Sequence, residues 1–212
     1  MLELDHLTVV APSLDEGVAH LCACLDLDIP YGGTHPEMGT HNHRLGLGKA
    51  IYLEVIAIDP SAPRPRAARW FGLADPASVR ADWDAGRRLR AWVARTDRID
   101  RVLEHHGPLF GSKLRLSGGG RFFHFSSLPD GSLPLDGALP ALIDRAGHSS
   151  PAGRLEDQGA RLAAFTLEHP SPQEIATLYK QVGLRSHPRV SEGDALRYRA
   201  EIETPRGLKT LW

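Results

Sequence analysis

A histidine at position 6 and a glutamate at position 54 are the residues whose types and settings point most directly to chemistry. Glu54 interrupts AIYLEVIAI, a strand-like segment apolar on both faces. An unpaired carboxylate in such surroundings costs several kcal/mol, so it must be paired with a cation, ligated to a metal, protonated or turned toward a wet cleft. The ordinary alternative is an ion pair with one of the many arginines. His6 stands in LELDHLTVV, where alternation sets Leu4, His6, Thr8 and Val10 on one face and Leu7 and Val9 on the other. Taken alone, such a histidine is more simply satisfied by a neighbouring carbonyl. Alternation also puts Tyr52, Glu54 and Ile56 on one face, so His6 and Glu54 converge if both strands turn their polar faces inward. Imidazole nitrogen with carboxylate oxygen suits zinc, iron, nickel or manganese without choosing among them.

The elements that must position this pair repeat along the chain. The first copy reads as a strand (LELDHLTVV), a helix (APSLDEGVAHLCACLDL) and two further strands (HNHRLGLG and AIYLEVIAI). A later copy opens with RLAAFTLEHPSPQEIATLYKQVGL, where Thr166, Pro170, Ser171 and Glu174 match Thr8, Pro12, Ser13 and Glu16 at constant offset. In both copies the serine and the glutamate three residues on predict a capping box, and Pro172 suits the first helical position. A weaker middle copy, LRAWVARTDRIDRVLEHHG, is followed by strand candidates RFFHFSSL and LPALIDR. His105 and His106 are expected to close its helix before Gly107, a placement that the helix dipole explains without function. The Pro- and Arg-rich stretch 59–88 reads as a surface excursion with one helical turn near Trp70, and Arg69 beside Trp70 and Phe71 could cover a cleft. The irregular stretches LPDGSLPLDGALP and AGHSSPAGRLEDQGA are either covers or plain connections.

The opening 59 residues, with DGALPALIDRAGHSSPAG later, resemble the glyoxalase-like domain family of the vicinal-oxygen-chelate superfamily, which includes glyoxalase, bleomycin-resistance and extradiol-dioxygenase proteins. The resemblance implies an α+β fold: repeated βαβββ modules forming a curved mixed sheet around a cleft, with helices outside. The expected organisation is a single unit, 1–212, built from approximate modules 1–60, 87–147 and 160–212. It also implies that His6 and Glu54 are metal ligands. His41, in the GTHN segment that shares the resemblance, is the third ligand chosen, with His43, His124 and His148 as other sources; solvated histidines on a turn-rich lip are the plain alternative. His124 is assigned to proton transfer beside Glu54, and Tyr52, Asn42 and His148 to substrate contact. The sequence departs from the metal-binding pattern where second-module histidines are expected, because Ala91 and Ala164 stand there and cannot ligate.

Composition narrows the function classes. A net charge of -1 argues against a nucleic-acid partner, and no run approaches membrane-spanning length. Cys22 and Cys24, two apart in a helical pattern, cannot form an ordinary disulfide, which points to a reducing, cytoplasmic setting. GxSxG is absent, and Gly118, Gly119 and Gly120 lack the helix start and lysine of a phosphate loop. Three readings follow. The first is an enzyme whose divalent metal chelates adjacent oxygens of a small substrate, as isomerase, lyase or ring-cleaving oxygenase. The second is a metal-free, drug-sequestering binding protein. The third is a structural or regulatory homodimer.

Overall fold

A computed structural model describes residues 1–212. The first repeat forms β1 (Glu3–Val10), α1 (Leu14–Leu25), β2 (Tyr31–His35), β3 (Thr40–Gly46) and β4 (Tyr52–Ile58). After α2 (Pro76–Asp84), the second forms β5 (Leu89–Arg95), α3 (Ile99–Phe110), β6 (Ser112–Gly118), β7 (Arg121–Ser127) and β8 (Ala141–Asp144). The third consists of β9 (Arg161–His169), α4 (Pro172–Gln181), β10 (Arg189–Glu192), β11 (Arg197–Thr204) and β12 (Gly207–Leu211). No helix is long and apolar enough to cross a membrane.

The first two repeats join in one mixed sheet, ordered β2-β3-β4-β1-β5-β8-β7-β6, so each contributes the same strand sequence in mirror order about the antiparallel β1/β5 seam. The sheet curls until its edges nearly meet: Ser117 Oγ on β6 donates to Glu37, just beyond β2, at 2.5 Å. The expected α+β architecture of βαβββ modules around a cleft is therefore present. The third repeat differs. It forms a separate four-stranded sheet, β10-β9-β11-β12, in which β10 pairs directly and in parallel with β9. That sheet packs behind the seam, where Trp92 meets Phe165 and Tyr179 with ring centroids 6.1 and 6.0 Å apart.

Local chemistry explains most of the elements. Leu14, Leu21 and Leu25 of α1 recur at helical spacing and are buried, and Ser13 caps the helix by accepting from the Glu16 amide. Glu16 returns to the Ser13 hydroxyl at 2.9 Å. Gly17 lets α1 approach β4, since a Cβ there would lie 2.4 Å from Val55 Cγ2. The matching cap on α4 does not form. The Ser171 side chain makes no cap bond, and its amide donates instead to His169 Nδ1 at 3.0 Å, while Pro172 does open the helix. α2 was not among the expected elements, although Asp75 caps it and Pro76 occupies its first turn. α3 kinks at His106 and runs on to Phe110 rather than ending before Gly107.

Two apolar clusters divide the sheet's faces. The larger lies under the helices and the third repeat and includes Leu7, Val9, Leu53 and Val55; the smaller lines the concave side and includes Val10, Ile56, Val93 and Ile143.

Candidate functional site

β1 is irregular where it meets β5. The register slips between Leu4 and His6, so one residue is extra, as in a β-bulge. Leu4 consequently joins Leu7 in the core behind the sheet, while Asp5 and His6 bond to each other on the concave side. The expectation that Leu4 shares the His6 face is corrected by this bulge. Asp5 Oδ1 meets His6 Nδ1 at 2.7 Å, and Arg145, just past β8, grips the same carboxylate through Nη2 at 2.5 Å and Nε at 3.1 Å. Arg145 also donates to the Tyr52 hydroxyl at 3.2 Å, and the Tyr52 ring stacks on His6 with centroids 4.5 Å apart.

With Nδ1 engaged by Asp5, the other ring nitrogen of His6 faces Glu54. Nε2 lies 3.5 Å from Oε2 and has no hydrogen-bond partner, so the contact is an ion pair rather than a well-formed hydrogen bond. Asn42 donates through Nδ2 to the other Glu54 oxygen, and Arg44 Nε stands 3.7 Å from it. His6 and Glu54 are almost wholly buried, 2 % and 4 % exposed, which makes their charges interdependent. Burial alone would raise the Glu54 carboxyl; the facing His6 imidazole and the Arg44 guanidinium outweigh it and hold the group at about 2. Burial likewise opposes ionisation of Asp5, yet His6 and Arg145 bring it to about 2. Burial would lower His6, but its two carboxylate neighbours raise it above its ordinary value of 6.5. The core of the site is thus an imidazole held between two carboxylates that favour its protonated form, flanked by two guanidiniums.

His6, Arg44, Tyr52, Glu54 and Arg145 form the floor of a half-enclosed cleft. Its apolar wall comes from Trp70 and Phe71 in the long excursion after β4 and from Phe123 and Phe125 on β7; Trp70 packs 4.8 Å from the Phe125 ring. Phe71 has φ of 55°, a strained value for a bulky residue and one that structures tend to tolerate near functional sites. His35 also faces the cleft, with burial pushing it down to about 4, so it is neutral at pH 7. The stretch after β8 supplies His148, Ser149, Pro151 and Arg154 to the mouth, so this irregular segment is a cover rather than a plain connection.

The structure brings His6, Glu54, Asn42 and Tyr52 together and puts His148 at the rim. It does not bring His41 or His124. Arg44 pairs with Glu54 across β3 and β4, and alternation sends His41, paired with Ala57, to the reverse face. His124 alternates with Phe123 and Phe125, which line the cleft, so its side chain lies on the far side of β7. The proposed metal set of His6, Glu54 and His41 is not assembled, and no three His, Cys, Asp or Glu side chains converge elsewhere. Across the seam the partners of His6 and Thr8 are Val93 and Ala91, and Ile143 fills the concave face of β8. Two donors beside a guanidinium do not fit a resident divalent ion, which needs at least three protein donors or their equivalent. Asp5, Arg44 and Arg145 had not been singled out in the sequence. Arg145 lies within the segment that carried the family resemblance, whereas Asp5 is concealed by strict alternation.

One solved structure shares this architecture over most of its length. A crystal structure of a hypothetical protein from Staphylococcus aureus superposes with a TM-score of 0.65 at 11% identity, over 93% of this chain and 88% of that one. Methylmalonyl-CoA epimerase of Streptomyces coelicolor in complex with 2-nitronate-propionyl-CoA is also similar, with a TM-score of 0.46 at 18% identity, covering 71% and 100% of the two chains. The epimerase from Mycobacterium tuberculosis gives 0.42 at 16%, covering 66% and 86%. No curated protein sequence matches significantly. The family model described as a glyoxalase-like domain matches residues 4–183, and with most of its length so covered this chain belongs to the glyoxalase-like domain family.

Proposed function

We propose that this chain is a small-molecule enzyme that moves a proton on a carbon next to an oxyanion, with Glu54 and His6 as the reacting pair. The observation that carries the reading is His6 Nε2, buried without a hydrogen-bond partner beside the Glu54 carboxylate, on a ring that lines the cleft. A substrate carbonyl oxygen that enters there accepts the Nε2 proton as a hydrogen bond. Glu54 then takes the proton from the adjacent carbon, the C–H electron pair moves into the developing enediolate, and the Arg44 and Arg145 guanidiniums stabilise its charge. Return of the proton to the neighbouring carbon completes an isomerisation; expulsion of a β-leaving group completes a lyase reaction. Near 2, Glu54 is a weak base. An anionic substrate that draws His6 and Arg44 toward itself raises Glu54 toward a working value.

A metal-dependent form of the same chemistry has one specific observation behind it. A carboxylate on the far nitrogen of a histidine is the usual backing of a metal-ligating imidazole, and Asp5 occupies that place. Such a form would have His6 and Glu54 as its protein donors, short of the three that a resident ion needs, so no step is assigned to it. Metal analysis of protein purified without added metal separates the two, since the first reading expects no stoichiometric ion that His6→Ala removes.

The test is solvent exchange. In D₂O, a panel of small 2-oxo and 2-hydroxy carbonyl compounds is followed by proton NMR for loss of the α-proton. At least one compound is expected to exchange, and Glu54→Gln to slow it by roughly 10²-fold or more. Tight binding with no exchange anywhere in the panel supports the sequestering function instead.

A further inference from the structure

We propose that the cleft takes a molecule with a flat apolar body and a terminal carboxylate or phosphate, the anion being held at the mouth by Arg121 and Arg154. The inference rests on the cleft being a substrate site and specifies the class of substrate.

About half of the arginines are matched with acids, among them Arg80 with Glu16, Arg161 with Asp157 and Arg206 with Asp26, all within 2.8 Å. Arg90 pairs with Asp82 at 2.8 Å, and Arg95 with Glu3 at 2.7 Å. Of the four arginines that line the cleft, Arg44 and Arg145 face Glu54 and Asp5, whereas Arg121 and Arg154 have no acid partner. Arg121 makes no ion pair, and Arg154 donates only to the Ser149 hydroxyl, at 3.1 Å. The only acid lining the cleft is Glu54, which is buried at the floor and already faces His6 and Arg44. The floor therefore sets the Arg44 and Arg145 guanidiniums and the His6 imidazole against Asp5 and Glu54, and the mouth adds two more guanidiniums without an acid. Such a lining, in a chain whose formal net charge is -1, suits an anionic ligand. Guanidinium forks match carboxylate and phosphate geometry, and both ligand types share this recognition.

The body of the ligand follows from the wall between floor and mouth. Trp70, Phe71 and Phe125 form a contiguous set, with ring centroids 4.8 to 5.6 Å apart. Phe123 continues it through His35, 6.4 Å away. Such a surface favours a planar ring or conjugated chain over a sugar-like body, whose hydroxyls would go unsatisfied there.

The test is a binding titration by NMR or calorimetry with phenyl phosphate, benzoate and benzyl alcohol, none of which presents a reacting carbonyl carbon. The anions are expected to bind roughly tenfold or more tightly than benzyl alcohol, an advantage that falls as salt rises. Arg121→Ala/Arg154→Ala, at exposed positions, is expected to abolish that advantage and leave benzyl alcohol binding unchanged. The order of phenyl phosphate and benzoate tells which anion the mouth prefers. Equal binding of all three probes, or anion binding undiminished in the double variant, overturns the inference. Glu54→Gln keeps these outcomes apart from the proposed chemistry, because it stops solvent exchange without touching the mouth.

Discussion

Asp5 and His6 are chain neighbours in a β-strand, yet their side chains meet at 2.7 Å on the same face of the sheet. The bulge in β1 makes this possible, and it converts a lone strand histidine into a charged group with a fixed orientation. Nδ1 belongs to Asp5, and Nε2 is left for Glu54 and whatever enters the cleft.

The pairing of Asp5 with Arg145 is expected to be structural as well as orienting. Asp5→Ala leaves a largely buried guanidinium without its carboxylate and should cost about 3–5 kcal/mol in denaturant unfolding. Asp5→Ala/Arg145→Met should recover part of that loss. Equal stability of the single and double variants would show that the pair is not coupled.

Stability should depend on pH in opposite senses at the two ends of the range. Asp5 and Glu54 are depressed to about 2 from ordinary values of 3.8 and 4.5, so their contribution is present above the ordinary values and lost as pH falls toward 2. Asp5 is worth about 2 kcal/mol and Glu54 about 3 kcal/mol, not additively because both lean on His6. His6 is raised above 6.5, so its contribution is full below that value and is lost as pH rises through its folded pKa. Unfolding free energy should therefore peak between about pH 5 and 6.5, and His6→Gln should remove the decline on the alkaline side. A flat profile above pH 6.5 in the unmodified protein would contradict this.

Close approach of α1 to β4 makes Gly17 intolerant of a side chain. Gly17→Ala should destabilise by about 1–3 kcal/mol through the clash with Val55. Val55→Ala in the same background should relieve it, giving a non-additive cycle in thermal or chemical unfolding.

His41 and His124 provide an internal control. Both lie on strands that border the cleft, but on the reverse faces. His41→Ala and His124→Ala should leave probe binding and proton exchange within about twofold of the unmodified protein, whereas His6→Ala should not. Loss of either property in His124→Ala would place the proton-transfer machinery elsewhere.

Much of this arrangement was legible in the residues. A carboxylate inside YLEVIAI demanded partners, and period-two alternation on β1 and β4 predicted their convergence. The same rule, applied strictly, would have excluded His124 and would have forced a choice between His41 and Asn42, which are adjacent in one strand and cannot both face the cleft. What alternation could not foresee was the bulge, since an extra residue in β1 depends on pairing with a strand more than eighty residues away. Arg145 was hidden for a similar reason: its role depends on a contact across 140 positions. The third repeat shares its opening strand and helix with the first, but strand order is decided by which edges are available, and its copy pairs β10 with β9 behind the main sheet.

The most direct test of the central claim is the titration of His6, observed by nitrogen NMR in protein labelled at histidine. The pair predicts a His6 pKa that lies above 6.5 and falls in Glu54→Gln. A neutral His6 ring at pH 6, or a titration identical in the two proteins, would mean that these side chains do not act as one charged unit.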